Sequence, residues 1–358
     1  MKIKKATQKY EAWLGRHVRL VRADLELKHR EMTADPFRFL RATFYRWCQL
    51  WPDICPEGAR APVVLAVGDL HLENFGTWRD IEGRLVWGVN DFDEACWSPY
   101  AIDLVRLATS AHLAIAAEHL KIRVRDACQS ILHGYEEALK RGGTPVVLGE
   151  SHHWLRVLAV SEARDPARYW EKMDALPTFR GCVPKSAVRA IEQLMPEKGL
   201  QFRWAHRIAG LGSLGRQRFV ALVDWRGGKI AREAKALAPS AYRWVRKGEN
   251  AKGILYEDAL TKSVRSRDPF VHLRGRWIVR RLAPDCTRVE LAALPKERDE
   301  SRLLFEMGFE TANVHLGSRG AAKSVLRDLR GRGPHWLHDA ACAMAKATLK
   351  DWDEWRSA

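Results

Sequence analysis

An α+β fold is the class this sequence predicts, and three observations carry it. Most of the 358 residues follow a helical period, with apolar positions three and four apart in segments such as Lys9–Arg30 and Ala101–His119. Two short apolar runs, Pro62–Val67 and Leu85–Val89, lead into the acidic turns Gly68-Asp69 and Asn90-Asp91-Phe92-Asp93-Glu94. Strand-like segments gather again around a glycine-rich stretch within residues 201–295.

Taken in order, Lys9–Arg30 predicts one amphipathic helix with a basic outer face. Pro36 opens an aromatic-rich helix running to Trp51, in which Arg41 is either a phosphate contact or a residue snorkelling at a helix edge. Ala101–His119 is a strongly apolar helix, and Ile122–Lys140 is its partner, closed by Arg141-Gly142-Gly143. Residues 144–200 are mostly helical and polar, broken at Pro166, Pro177, Pro184 and Pro196, and are expected to bridge two lobes. The Ser-His-His at Ser151–His153 reads as solvent-facing. Further on come a short helix at Ile254–Thr261, a hairpin of Phe270–Leu273 and Arg276–Leu282, and a helix at Arg298–Leu316. A basic helix, a break at Gly331–Pro334 and a last helix from Trp336 to Trp355 complete the chain.

Composition bounds the classes of function. Lys and Arg number 60 against 44 Asp and Glu, a formal charge of +16. A field of that sign attracts nucleotides, phosphorylated metabolites, nucleic acid or acidic membrane without choosing among them. The 15 tryptophans form no stripe that reads as a base-stacking platform, so nucleic acid is not favoured. The seven cysteines include no Cys-x-x-Cys pair, which disfavours structural zinc and suits reduced thiols in a cytoplasm. The basic N-terminus has no apolar segment behind it, and no run approaches the ~18 apolar residues of a membrane span. A cytoplasmic protein without a membrane span is the expectation.

The chemistry is concentrated in Val63–Ala108. Asp69-Leu70, then Asn74, then Asp91-Phe92 downstream have the order and spacing of a phosphoryl-transfer site. Asp69 is the candidate catalytic base. Asn74 and Asp91, with Asp93 assisting, are the candidate magnesium ligands against triphosphate oxygens. Late in the chain Gly210, Gly212 and Gly215, with Ser213 among them, spell Gly-x-Gly-x-x-Gly. A dinucleotide loop of that pattern opens a helix, but Arg218–Trp225 is strand-like and is followed by a turn at Arg226-Gly227-Gly228 and a segment leading to Lys235. Glycines between antiparallel strands, with a lysine on the next segment, bring backbone N–H groups and a cation to phosphates. The segment Lys229–Leu237 also has high helix propensity, and Lys229 is the alternative to Lys235.

These motifs resemble a known group. Gly68–Asp103 is similar to the sugar, choline and aminoglycoside phosphotransferases of the protein-kinase-like superfamily, whose pattern is Gly-Asp-x-His-x-x-Asn, an Asp-Phe pair, then Asp-Leu on a helix. Gly68–Gly76 together with Asn90–Ala95 looks closer still to the bacterial domain of unknown function 2252 family. The resemblance implies a circularly permuted protein-kinase-like two-lobe fold, because the acidic turns here precede the glycine loop. Residues 1–200 would form the larger helical lobe, 201–295 a small β-rich nucleotide lobe, and 296–358 helices returning to the helical lobe. It further implies that Asp103 braces the catalytic loop (capping its own helix is the plainer role), that Glu257 orients the lysine, and that Leu282, before Ala283-Pro284, meets adenine. ATP and magnesium are the implied cofactors.

Two departures shape the functional expectation. Val67 stands where many phosphotransferases have His, and Asp93 stands where protein kinases have Gly. The second favours phosphate transfer to a hydroxyl of a small-molecule acceptor, with AMP transfer also open. Two rivals stand beside this reading. A metallophosphoesterase would use His71 as a ligand, but its later Gly-Asp and Gly-Asn-His turns are missing. A nucleotide-binding pseudokinase or a basic nucleic-acid scaffold would bind without catalysis.

Overall fold

Among the described residues, three antiparallel sheets carry the loops of interest, and the helices pack around them. The structure, a computed structural model, describes residues 1–150, 152–159, 165–246, 253–286, 288 and 299–357. In chain order the strands are β1 (Val63–Ala66), β2 (Phe75–Arg79), β3 (Leu85–Val89), β4 (Cys96–Pro99), β5 (Val146–Val147), β6 (Arg203–Ala205), β7 (Arg218–Trp225), β8 (Gly228–Ala236), β9 (His272–Arg274) and β10 (Trp277–Leu282). β1 pairs with β4, β2-β3-β5 form a second sheet, and β6-β7-β8-β10-β9 form the largest. The expected strands at Pro62–Val67 and Leu85–Val89 are present, and so is the β-rich segment.

β8 shows tertiary pairing overriding local preference. Its sequence favours helix, but it lies between β7 and β10, with Lys235 opposite Arg218 on one side and Ile278 on the other. Both ladders satisfy its backbone, and residues 231–236 are buried, so apolar and polar positions do not alternate. The helices Pro166–Asp174 and Lys185–Glu192 lie against this sheet. Met173 packs with Val220, Leu222 and Leu282, and Ala187 and Ile191 join the main core. This part of 144–200 therefore covers the sheet, where sequence reasoning had it bridging two lobes.

The N-terminal helix differs from expectation as well. Lys9–Arg30 is two helices, Ile3–Leu14 and Arg22–Ala34. The chain between them is extended at Leu20 and Val21, where Leu20 bridges to Arg216 and Val21 N–H donates to Gly215 O at 2.8 Å. Those contacts need a straight segment, so the helical period is interrupted. The aromatic helix is likewise split at Thr43, whose backbone leaves the helical region and whose Oγ1 donates to Phe39 O at 2.7 Å. Ser151 and the 295/296 lobe boundary lie outside the described residues.

The helical core is built on Ala101–Ala116, buried along most of its length. Val124–Arg141 and Glu300–His315 cross beside it, and Trp336–Arg356 packs along it. The first two approach backbone to backbone through reciprocal glycines. A Cβ on Gly134 would lie 1.9 Å from Phe305 O, and one on Gly308 would lie 2.0 Å from Ile131 O. Gly134→Ala and Gly308→Ala should each destabilise by about 1–3 kcal/mol, seen as a lower urea midpoint; an unchanged midpoint would contradict this crossing.

Candidate functional site

The turn after β1 is held by one buried carboxylate. Asp103, two residues into its helix, accepts from Val67 N (2.7 Å) and Gly68 N (2.8 Å). Its Oδ2 also lies 2.9 Å from His315 Nε2, and His315 Nδ1 is 2.8 Å from Tyr135 OH. Asp103 thus braces the loop and does not cap its own helix. Ser110, two turns along, accepts from Leu72 N at 3.1 Å. Gly68 has φ 84°, and a Cβ there would stand 2.3 Å from Glu94 O, so the turn requires glycine.

The turn presents Asp69. Its Oδ1 accepts from Arg106 Nε at 2.8 Å and pairs with Arg106 Nη2, and the guanidinium also donates to Leu40 O. Asp69 Oδ2 faces Gly212 of the distant glycine loop, where a Cβ would approach within 3.3 Å. Burial pushes the Asp69 carboxyl up, against the pull of Arg106. Asn74 ends a short 3₁₀ turn, and its Nδ2 donates to Asp69 O (3.1 Å) and Asp91 O (3.3 Å). One amide therefore ties the two acidic turns together and leaves its Oδ1 to accept.

β3 delivers the second turn. Asp91 Oδ1 accepts from Asp93 N at 3.0 Å. From the large sheet, Lys235 on β8 reaches both acids, with Nζ 3.2 Å from Asp91 Oδ2 and 2.6 Å from Asp93 Oδ2. Lys235 is 2% exposed, whereas Lys229 is exposed and pairs with Asp174. Of the two lysines, Lys235 is the one that reaches the acidic turn. The Lys235 ammonium holds Asp91 well below the usual carboxylate range, against partial desolvation. Burial and the charge of Asp91 push Asp93 up to about 7, against the pull of Lys235.

The glycine loop joins β6 to β7, with no helix after it. Gly210 (φ 70°), Leu211, Gly212 and Ser213 make a tight turn over Asp69, and Leu282 lines the same cavity at the end of β10. Two of the predicted contacts lie off the cavity, and a third, Ser213, lines it and also supports the turn. Ser213 Oγ donates to Gly210 O and accepts from Arg218, bracing the turn from within. Gly215 lies off the cavity, where a Cβ would meet Leu25 at 2.3 Å, so that glycine admits the helix Arg22–Ala34. Glu257 accepts from Leu273 N at 2.9 Å, and its carboxylate does not reach Lys235. The buried acid of this sheet is instead Glu233, paired with Arg218 (2.6 Å), Arg207 (2.9 Å) and Arg280 (3.1 Å).

The two regions enclose one cavity of about 410 Å³, lined by Asp69, Asn74, Asp91 and Asp93 on one side and by the glycine turn on the other. Sequence reasoning missed Arg106, Arg216, Glu94 and Lys28. Arg106 left a trace, because Asp103, Arg106 and Ser110 form a polar stripe on a mostly apolar helix. Arg216 Nη2 lies 2.8 Å from Glu94 Oε1, and Glu94 Oε2 accepts from Ala241 N at 2.6 Å. Neither contact has a local pattern to announce it.

Among the described residues, no three His, Cys, Asp or Glu side chains converge as a metal cage. His71 is buried, with its imidazole pKa well below the ordinary value through burial and the nearby Arg41 and Arg106. Asn74 Oδ1 and the third-exposed Asp91 carboxylate could still supply two oxygens. That is a donor set suited to magnesium, which keeps water and takes phosphate oxygens. No described helix is long and apolar enough to cross a membrane.

Residues 19–173 match the model of a family described as uncharacterized protein conserved in bacteria (DUF2252). That span includes both acidic turns and Asp103 and ends before the glycine loop. No curated protein and no solved structure matches the chain.

Glu310 supports the strand leading to Asp91. Its Oε1 accepts from Val89 N at 3.2 Å, in space that a Cβ on Gly88 would occupy. Burial pushes its carboxyl up to about 7, against Arg265. A raised folded-state pKa contributes stability that is complete below the ordinary glutamate value and lost as pH rises through about 7. Wild type should therefore lose on the order of 1–2 kcal/mol relative to Glu310→Gln between pH 5.5 and 8.5. Urea midpoints across that range test it, and parallel curves would contradict the assignment.

Proposed function

We propose that the cavity is the active site of an ATP- and magnesium-dependent phosphotransferase with a circularly permuted protein-kinase-like two-lobe fold, acting on a hydroxyl of a small-molecule acceptor. The observation that carries this reading is Lys235, buried against Asp91 and Asp93 and 144 residues from Asp91 in sequence, where those two acids line a cavity that also holds Asp69 and the glycine turn. A glycine loop between the first two strands of the sheet and a lysine on the third is the protein-kinase arrangement.

The roles follow from the atoms. Asp69 Oδ2, on the cavity side of the Arg106 pair, takes the proton of the acceptor hydroxyl. The acceptor oxygen then bonds to the γ-phosphorus of ATP, the bond from that phosphorus to the β,γ-bridging oxygen breaks, and ADP leaves. Arg106 fixes the carboxylate in place, while burial keeps it basic enough to accept a proton. Lys235 neutralises phosphate oxygens beneath the glycine turn. Magnesium, when bound through Asn74 and Asp91, neutralises charge on the transferring phosphates.

A second reading, nucleotide binding without transfer, is favoured by the Asp69–Arg106 ion pair, which stabilises the charged carboxylate and so weakens it as a base. One experiment separates the two. If transfer occurs, Asp69→Asn should lower slow ATP turnover by about 10³-fold while ATP affinity stays within about threefold. Lys235→Ala should weaken ATP binding by about tenfold or more, and Lys229→Ala should leave it unchanged. Turnover that survives Asp69→Asn would remove Asp69 as the base, and no turnover in the wild type with every metabolite tried would leave binding alone.

A further inference from the structure

Lys28 belongs to the N-terminal helix Arg22–Ala34, far in sequence from every motif above, yet its side chain lines the same cavity. It is 5% exposed, and its Nζ donates to Gly212 O at 3.1 Å. Among the described residues no carboxylate lies within ion-pair distance of it, although the site is rich in acids. Those acids are already matched: Asp69 with Arg106, Glu94 with Arg216, and Asp91 and Asp93 with Lys235. A buried ammonium with one carbonyl partner retains donors for an anion, and the cost of burying it falls when an anion arrives.

Its place in the fold is secured at both ends of the glycine loop. Val21 N–H bonds Gly215 O, Leu25 fills the space beneath Gly215, and Asp24 Oδ1 lies 3.1 Å from His206 Nε2. The helix and the loop therefore hold one another, and Lys28 needs no reorganisation to face a ligand. Gly212 is the point of convergence. Lys28 grips its carbonyl, and Asp69 Oδ2 lies where a Cβ would be crowded at 3.3 Å.

We propose that Lys28 is a phosphate-binding residue at the point of transfer, contacting the terminal phosphoryl group of the nucleotide beside Asp69, while Lys235 serves the inner phosphates. The inference rests on the phosphotransferase reading above and assigns one group within it. Burial also draws the Lys28 ammonium down to about 8, with Glu11, Asp69 and Glu94 acting in the opposite sense. The side chain therefore stays protonated at neutral pH and gains from an added negative charge.

The test compares two nucleotides on the full-length chain with magnesium present. Affinities for a non-hydrolysable ATP analogue and for ADP are measured by calorimetry in the wild type, Lys28→Met and Lys28→Arg, with thermal melts to confirm folding. The expected result is about a tenfold loss for the ATP analogue in Lys28→Met, with ADP affinity within about twofold, and recovery of most of the difference in Lys28→Arg. An equal loss for both nucleotides, or no loss for either, would overturn the assignment, because a lysine that only supports the loop does not distinguish them; the phosphotransferase reading would survive. A wild type that binds neither nucleotide would remove both.

Discussion

The contact of Lys235 with Asp91 and Asp93 is the interaction on which the site depends. It joins the third strand of the large sheet to the turn after β3, and so fixes the β-rich unit over the acidic loops. A cation 2% exposed is costly to bury alone, and two carboxylates crowded into one turn are costly without a cation. Each side makes the other tenable. Removing one member of such a pair typically costs about 3–5 kcal/mol, because the charge left behind stays buried. Lys235 keeps Asp91 charged, while burial and the charge of Asp91 raise Asp93 against the same lysine, so two neighbouring acids in one turn are chemically distinct.

A second constraint is the stripe on Ala101–Ala116. Asp103, Arg106 and Ser110 project from one face of a buried helix and reach the backbone of Val67 and Gly68, the carboxylate of Asp69, and the backbone of Leu72. Three side chains on a rigid element set the path of the whole turn, which is how a loop can hold a carboxylate in position. His315 and Tyr135 extend the support into two further helices. The glycine loop receives comparable support from the N-terminal helix, through Val21, Leu25 and Lys28.

Much of the candidate site was legible in the sequence. Asp69, Asn74, Asp91, Asp93 and Lys235 converge, and Gly210, Gly212 and Leu282 line the same cavity. Asp and Asn are ordinary turn residues, so it was their order and spacing after two apolar runs, not their presence in turns, that pointed to a site. Glu257 shows the limit. Any acid on a helix after the lysine strand fits that pattern, but in the fold this carboxylate is spent on Leu273 N–H. Gly215 likewise carries the right residue type but lies off the cavity and admits the helix Arg22–Ala34. Arg106, Arg216, Glu94 and Lys28 were not legible, because each acts through a partner distant in sequence.

By itself the sequence determined the α+β class, most helices and strands, and the acidic turns, because those follow from hydrophobic period, turn chemistry and the backbone freedom of glycine. Tertiary structure alone decided that residues 229–236 are strand, that the first helical stretch breaks at Leu20–Val21, and which cation meets which acid. The reason is physical: local preferences differ by fractions of a kcal/mol per residue, whereas completing a central strand's hydrogen bonds or neutralising a buried charge is worth considerably more. Neither of those gains exists until distant segments have met.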